Sequence, residues 1–440
     1  VDLLPGLPGW PSVLLERAAK GPLLGIDAAE AAGAWTAWRS VTADLTPDAL
    51  IARVEASGLR GRGGAGYPTG HKWRACAEAD GRARVVVANG FEADPGAQLD
   101  RTLMELDPHA VLEGAVLAAF AVRAAEVIVV VGAGATVAAE RLRAAVSEAE
   151  ARGHVGPEAA ARGAQVTVSV RTLTGSFVTG EETVLLRAIE DRRAQPDQRP
   201  PYPTVRGLFG RPTVVNNVET LAAIPWIVRN GPDRFAAIGD PSAPGTTLVQ
   251  LSGAVTRPGM VEAPLGTSLR ELIDGVGGGC SGTLKAVLVG GPGGGFLPPE
   301  GLDTPLAYEE LKDAGALVGS GSVLVVDSTT CIVDLATTLT RYLADEACGK
   351  TIPCRIGTRR LAELGDGLCS GRCRPGDADL VRSLAADVRD GALCGLEAGA
   401  VNPLLSGMRY FGQEFDDHIV RGLCQAGACH PIRVAAAAGH

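Results

Sequence analysis

The sequence predicts a mixed fold in three parts: an α/β domain, a small α+β module and a helical C-terminal domain. Three observations lead there. Short apolar runs alternate with helical patterns up to about residue 240; short strands then surround one short helix; beyond Cys331 strand signals stop. The implied segments are an extension at 1–45, the α/β domain at 46–240, the module at 241–330 and the helical domain at 331–440.

Residues 1–45 carry weak periodicity and read as an extension or cap. A helix is predicted from Asp48 to Ser57, with Thr46 as N-cap, Pro47 in its first position and Leu50, Ile51 and Val54 on one face. The glycine-rich stretch Gly61–Gly70 follows. Val85–Ala88 reads as a buried strand ending at Asn89. A helix near Ala110–Val122, a strand Val127–Val131, a helix near Val137–Glu150 and a strand Val166–Val170 come next. In the module, Thr247–Val255 is a strand and Arg257-Pro258-Gly259 a turn into another. A short helix at Ser268–Asp274 and strands at Ala286–Gly290 and Val323–Asp327 complete it. Helical patterns cover Val333–Leu343, Gly357–Leu364, Asp377–Arg389 and Pro403–Phe411.

Composition narrows the function. With 46% hydrophobic residues, 440 residues can bury sizeable cores. A net charge of -9 leaves no basic surface to displace counterions, which argues against nucleic acid as a partner. The longest apolar run, Val111–Ala139, is interrupted by Glu113, Arg123 and Glu126, so no direct membrane insertion is expected. The N-terminus shows no secretory pattern. The 10 cysteines therefore predict thiols or metal ligands in a reducing, cytoplasmic compartment, and most of them fall after Asp345.

Gly61, Gly63 and Gly66 fit G-x-G-x-x-G, but a helix precedes them and Tyr67-Pro68-Thr69-Gly70 follows. This is the wrong context for a Rossmann turn, which needs a strand before it. Glycines still let backbone N–H groups approach a phosphate or a ring, and Arg62 and Lys72 add positive charge. A glycine turn packed for steric reasons is the competing reading. Companion segments favour a ligand. Asn89, Glu92 and Asp94 sit at the carboxyl end of a buried strand. Gly180-Glu181-Glu182-Thr183 opens a helix whose N-terminus orients backbone donors. Tyr202 lies in the stiff loop Arg199–Pro203, and Asn216-Asn217 stand in an apolar stretch. Each alone is more often a cap, a turn or a satisfied polar group.

Together these segments resemble a known family. Ser57–Trp73 is similar to the flavin loop of the NADH-oxidising flavoprotein component (the F subunit) of respiratory complex I and of the diaphorase subunits of NAD-linked hydrogenases and formate dehydrogenases. Gly180–Thr183, Gly207–Gly210, Pro212–Leu221, Ser252–Gly259, Gly290–Pro299 and Asp327–Cys331 resemble the same family, in order, from about residue 50 to 420. The resemblance implies an FMN-binding α/β domain, a ubiquitin-like (β-grasp, SLBB-type) module and a helical bundle with a [4Fe–4S] cluster. It implies that Gly61, Arg62, Gly63, Gly64, Gly66, Lys72, Asn89, Asn216 and Asn217 hold FMN. Glu92, Gly180, Glu181 and Glu182 would line the flavin and nicotinamide, with Glu92 and Glu181 as the catalytic candidates, and Tyr67 and Tyr202 would stack near the adenine. Carboxylates there favour free ribose hydroxyls over an added phosphate, hence NADH over NADPH. The electron acceptor would be complex subunits, a ferredoxin, or a dehydrogenase or hydrogenase subunit. The chain would reach the inner face of a membrane through such a complex.

The sequence departs from the family in two places. Asn89-Gly90-Phe91-Glu92 replaces Asn-Ala-Asp-Glu, so Phe91 removes an acid expected beside the flavin; Thr179 also replaces a common Cys. In the cluster motif, Cys348 and Cys354 persist, with Cys394 as the distant ligand, but Thr351 holds the middle position. Four thiolates normally hold such a cluster and a hydroxyl is a hard, poor substitute. A fourth thiol from Cys369 or Cys373, a three-iron or labile cluster, and no cluster are the open readings. Cys424 and Cys429, near His430, read as surface thiols of a mobile tail. Thr351 and Phe91 also motivate a second hypothesis, a non-catalytic scaffold or assembly protein that kept the fold.

Overall fold

The computed structural model describes residues 1–440 except 20, 82, 158, 160–164, 375 and 430–440, so His430 lies outside the described residues. The chain divides into two compact units, residues 3–249 with 260–267 and residues 250–259 with 268–440.

The first unit is built on a four-stranded parallel sheet of β1 (Arg84–Gly90), β2 (Ala124–Gly132), β3 (Thr167–Leu173) and β4 (Thr213–Asn217), in the order β3-β2-β1-β4. The valines of β1 alternate between faces, as a period of two requires. Val86 and Ala88 join the core beneath helix Pro108–Val122, while Val85 and Val87 join Leu185, Leu186 and Ile189 on the other face. Parallel strands buried on both faces explain the uninterrupted apolar runs in the sequence. Helix Pro108–Val122 starts where the Asp107 carboxylate accepts the Ala110 N–H and Pro108 takes the first position; it ends where Arg123 turns left-handed at φ 57°. It is apolar nearly all round and packs on helix Val218–Asn230.

From β1 the sheet grows outward through β2 to β3, and the chain then returns to add β4 on the other side of β1. The direction of growth therefore reverses between β1 and β4, which opens a crevice at their carboxyl ends. Register sets Ala88 beside Asn216 and Asn89 beside Asn217 at that point.

The helix predicted at Asp48–Ser57 forms over Pro47–Ala56, capped by the Thr46 hydroxyl, with Leu50, Ile51 and Val54 buried. Residues 1–45 do more than extend the chain. Helices Ile26–Ala31 and Thr36–Asp44 bring the fully buried Trp35 and Trp38 into the first unit's core, and Arg17 pairs with the buried Asp107 at 2.9 Å. The two helices are short, so neither shows a readable apolar period.

Next along the chain, β5 (Gly239–Asp240) and β6 (Ala243–Pro244) form a two-residue ribbon. A five-stranded sheet, ordered β10-β9-β11-β7-β8, comprises β7 (Thr246–Gly253), β8 (Gly259–Pro264), β9 (Leu284–Val289), β10 (Gly295–Leu297) and β11 (Ser322–Asp327). The short helix expected at Ser268–Asp274 becomes a π-type turn at Glu271–Val276. Helices Ile332–Asp345, Arg359–Cys369, Asp377–Asp390 and Asn402–Tyr410 follow, close to the predicted positions. The module and these helices share one core: Ala286, Leu288, Phe296 and Val326 pack with Ile332, Val333, Leu361 and Leu404. The Phe296 N–H also donates to the Ser406 hydroxyl at 2.9 Å. Among the described residues no helix is long and apolar enough to cross a membrane.

Gly114 tests the helix packing under the sheet. A Cβ there would lie 1.9 Å from the Leu221 carbonyl oxygen, so backbone would have to move. Gly114→Ala is expected to lower the unfolding free energy by ~1–3 kcal/mol or more. Gly134→Ala, with open space around its added Cβ, should stay close to wild type in the same urea titration.

Candidate functional site

The glycine loop closes on itself before it meets the crevice. The Gly61 N–H donates to the Tyr67 carbonyl at 2.9 Å and the Thr69 N–H to the Leu59 carbonyl at 2.9 Å. Gly64 has φ 106°, which a side chain would strain, and a Cβ on Gly63 would stand 3.1 Å from the Asn217 Cβ. The loop backbone thus lies directly against the end of β4. The Arg62 guanidinium donates to the carbonyls of Thr246, Pro244 and Arg60 at 3.0, 2.6 and 3.0 Å, and its own N–H to the Thr220 hydroxyl at 2.8 Å. It clamps the loop instead of presenting charge, a role that loop composition does not indicate.

At the switch point the polar groups interlock. The Asn89 amide donates to the Gly180 carbonyl at 2.9 Å, and the Asn216 side chain accepts the Trp73 indole N–H at 2.9 Å. Asn217 caps helix Val218–Asn230, accepting the Glu219 and Thr220 N–H groups, and donates to the Asp100 carboxylate at 2.6 Å. Glu92, held at φ 43°, accepts the Asp100 and Arg101 N–H groups at 2.8 and 3.1 Å. Phe91 turns away from this edge into the apolar cluster of Val85, Val87 and Leu185. Thr179 is fully buried, and its hydroxyl accepts the Ser176 N–H at 3.1 Å.

Three acids converge here: Glu92, Asp100 and Glu219. Burial pushes the Glu92 carboxyl up. Burial, then the charges of Glu92 and Glu219, push Asp100 well above the usual carboxylate range. Burial lifts Glu219 from 4.5 to about 7, while its oxygen accepts the Thr247 hydroxyl at 2.8 Å and the Leu248 N–H at 3.2 Å. Sequence patterns do not single out Asp100, because helix Leu99–Leu106, which carries it, has no motif.

On the neighbouring rim, Glu181 caps helix Glu182–Ile189 by accepting the Thr183 and Val184 N–H groups at 2.9 and 3.0 Å. Glu182 takes Lys72 at 2.9 Å on one oxygen and Arg199 at 2.9 Å on the other; Lys72 also donates to the Val215 carbonyl at 3.1 Å. In the sequence Arg199 stands out only as part of a stiff loop. Tyr67 and Tyr202 are both more than half exposed, with rings open to a partner. Among the described residues, two buried polar atoms near this crevice have no partner: the Thr69 hydroxyl at the loop's end and the Arg101 Nε beside Glu92. Glycine backbone, half-buried Lys72 and these two unpaired donors fit a polar, anionic ligand such as a flavin nucleotide.

The second unit holds two thiol groups. In the first, Cys354 is buried and its thiol is pushed up to about 12 by burial and by the charges of Glu397, Cys394 and Cys348, which places those groups around it. The Thr351 hydroxyl donates to the buried Glu397 carboxylate at 2.6 Å, and Glu397 also accepts the Leu393 N–H at 2.8 Å. Three thiols fit a cluster, while the fourth position offers oxygen. Neither Cys369 nor Cys373 supplies the missing thiolate. Helix Arg359–Cys369 carries Cys369 to Thr337 at 3.6 Å and beside Cys429, and Cys373 faces the carbonyls of His418 and Ile419 at 3.6 and 3.7 Å. The second group joins Cys331, His418, Cys424 and Cys429. Cys424 and Cys429 are 8% and 4% exposed, so they are core residues and not surface thiols; chain beyond the last predicted helix folds back onto the bundle.

Comparison with known proteins places this geometry in a family. Residues 54–226 match the Nuo51 FMN-binding domain, 248–295 the SLBB domain, and 334–418 the NADH-ubiquinone oxidoreductase-F iron-sulfur binding region. The F subunit of the NADH-quinone oxidoreductase of Streptomyces coelicolor is 41% identical over 381 residues, 86% of this chain and 85% of that protein. This chain belongs to the family of NADH-quinone oxidoreductase F subunits. The NADP-reducing hydrogenase subunit HndC of Solidesulfovibrio fructosivorans is 39% identical across 88% of this chain and 79% of its own length. A crystal structure of NAD+-reducing [NiFe]-hydrogenase in the H2-reduced state matches with a TM-score of 0.82 at 33% identity, over 93% of this chain and 67% of that one. The architecture of this F-subunit homologue is therefore an FMN-binding α/β domain, an SLBB module and a helical iron–sulfur region, as the sequence predicts.

Within this family member, Glu219 gives a pH signature. Folded Glu219 keeps a proton that an unfolded glutamate releases above 4.5, so its contribution to stability is lost as pH rises from 4.5 to about 7. Over that window the unfolding free energy of wild type should fall by up to ~3 kcal/mol relative to Glu219→Gln. Urea titrations at a series of pH values read the difference.

Proposed function

We propose that the chain is an FMN-dependent NADH dehydrogenase module that takes hydride from NADH and passes electrons to a protein partner. The carrying observation is that the glycine loop, Asn89, Asn216, Asn217, Glu92 and the Glu181-Glu182 pair, scattered over more than a hundred residues, meet at the β1/β4 crevice. FMN bound there supplies a two-electron acceptor that releases electrons singly. The Gly61–Gly66 backbone and Lys72 hold its polar end, and Arg62 keeps the loop in shape. Glu92 and Glu181 are the acids assigned to the nicotinamide, and each is fixed by two N–H donors, so neither needs to reorganise when the dinucleotide arrives. Tyr67 and Tyr202 offer exposed rings to the adenine.

The acidic rim favours NADH over NADPH, since an added phosphate would meet carboxylates. The hydrogenase relative carries NADP in its name, so nucleotide choice is assigned to these residues and not to the fold. Cys348, Cys354 and Cys394 are the residues that would hold an iron–sulfur cluster and so provide a one-electron exit. The partner is a complex subunit, a ferredoxin or a hydrogenase-type subunit. The setting this reading implies is reducing and cytoplasmic, where thiolates stay available to iron. The segments 46–240, 241–330 and 331–440 would carry flavin, link and cluster functions respectively.

The purified protein is expected to be yellow and to bleach anaerobically with NADH, with kcat/KM at least ~10-fold higher for NADH than for NADPH. A colourless protein that binds no added FMN would instead support the scaffold reading. Lys72→Ala should weaken FMN affinity by about 10–100-fold, read by recovery of flavin fluorescence on dilution. Anaerobic wild type should contain iron and acid-labile sulfide, both lost in Cys354→Ser. Thr351→Cys should retain them longer in air, because a fourth thiolate closes the cluster. Wild type without iron removes the cluster from this function.

A further inference from the structure

The thiol group at the end of the chain has no part in the function above, and its geometry is unusually regular. The Cys331 Sγ lies 3.8 Å from the Cys429 Sγ and 3.5 Å from the His418 Nε2. The four ligand atoms of Cys331, His418, Cys424 and Cys429 all lie within 4.8 Å of one another. None of these side chains is more than 8% exposed. We propose that Cys331, His418, Cys424 and Cys429 form a structural site for one zinc ion, distinct from the Cys348, Cys354 and Cys394 thiols.

Distances favour a single ion over a cluster. With Zn–S near 2.3 Å and Zn–N near 2.0–2.1 Å, the edges of a tetrahedron are about 3.8 Å between sulfurs and about 3.5 Å between sulfur and nitrogen. Both observed separations match. In a [4Fe–4S] cluster each thiolate binds a different iron and in a [2Fe–2S] cluster the four ligands divide between two irons, so either spreads the set wider than the mutual 4.8 Å seen here. A disulfide would bring two sulfurs to about 2.05 Å, far closer than Cys331 and Cys429 stand.

The surroundings orient the ligands for a metal. The His418 Nδ1 lies 2.7 Å from the Glu414 carbonyl, one helical turn earlier. That carbonyl can only accept, so Nδ1 carries the proton and Nε2 turns its lone pair toward the sulfurs, the usual arrangement of a metal-bound imidazole. Cys331 caps helix Ile332–Asp345, where its sulfur accepts the Asp334 N–H at 3.4 Å. Binding releases the three thiol protons to solvent and leaves a site of charge −1. It would tie the first helix of the bundle to the chain after its last, a closure spanning residues 331 to 429. Cys369, near Cys429 and Asp334, lies outside this set of four.

The test uses the full chain, purified under reducing, anaerobic conditions and analysed for zinc and iron together. Wild type should hold about one zinc per chain. The Cys424→Ser/Cys429→Ser double variant should lose it while keeping its iron, and Cys369→Ser should keep both. Should the double variant fail to fold, His418→Cys still decides. It should retain zinc, and its cobalt-loaded form should move from the visible spectrum of a three-thiolate, one-imidazole site to that of a four-thiolate site. Several results overturn the proposal: wild type that takes up no zinc when supplied with it, zinc unaffected in the folded double variant, a cobalt spectrum unmoved by His418→Cys, iron that depends on Cys424 and Cys429, or a Cys331–Cys429 disulfide in the freshly purified protein.

Discussion

Parallel pairing of β1 with β4 is the constraint on which the first unit depends. Because Asn89 registers with Asn217, two asparagines more than a hundred residues apart end at one edge of the sheet. One asparagine reaches across to Gly180, and the other caps the next helix and meets Asp100. The glycine loop then packs against Asn217, and Lys72 reaches the Val215 carbonyl of the same strand. A slip of one residue would turn these groups to the opposite faces of the sheet and disperse the site.

Many acids in the crevice already have structural duties. Glu92 and Glu181 accept backbone N–H groups, Glu182 balances Lys72 and Arg199, and Glu219 accepts from Thr247 and Leu248. Fixed carboxylates form a preorganised electrostatic surface along the crevice. In two of the acids, Asp100 and Glu219, burial shifts the balance toward the protonated form relative to a free carboxyl.

The substitutions that look most damaging in the sequence act differently in the fold. Phe91 fills the apolar cluster below the sheet edge, leaving the crevice to Glu92 and its neighbours. Thr351 engages a buried glutamate, so its replacement of a cysteine comes with a polar partner. The C-terminal cysteines that look spare lie in the helical core, and Cys369 and Cys373, the candidates to repair the cluster, belong near them.

The sequence by itself determined the order of the folded parts, most helices and strands, and several of the polar residues that meet at the β1/β4 crevice. Valine runs, N-caps and glycine motifs are local signals written within a few residues of where they act. The glycine loop alone is ambiguous, and its ordered companions resolve it. Only the tertiary structure decided which polar groups hold the fold and which remain for a ligand. Arg62 commits its guanidinium to carbonyls from a different segment, Asp100 enters from a helix with no motif, and Cys331 meets Cys429 across 98 positions. Those partnerships depend on contacts between distant segments, which local periodicity and composition do not encode.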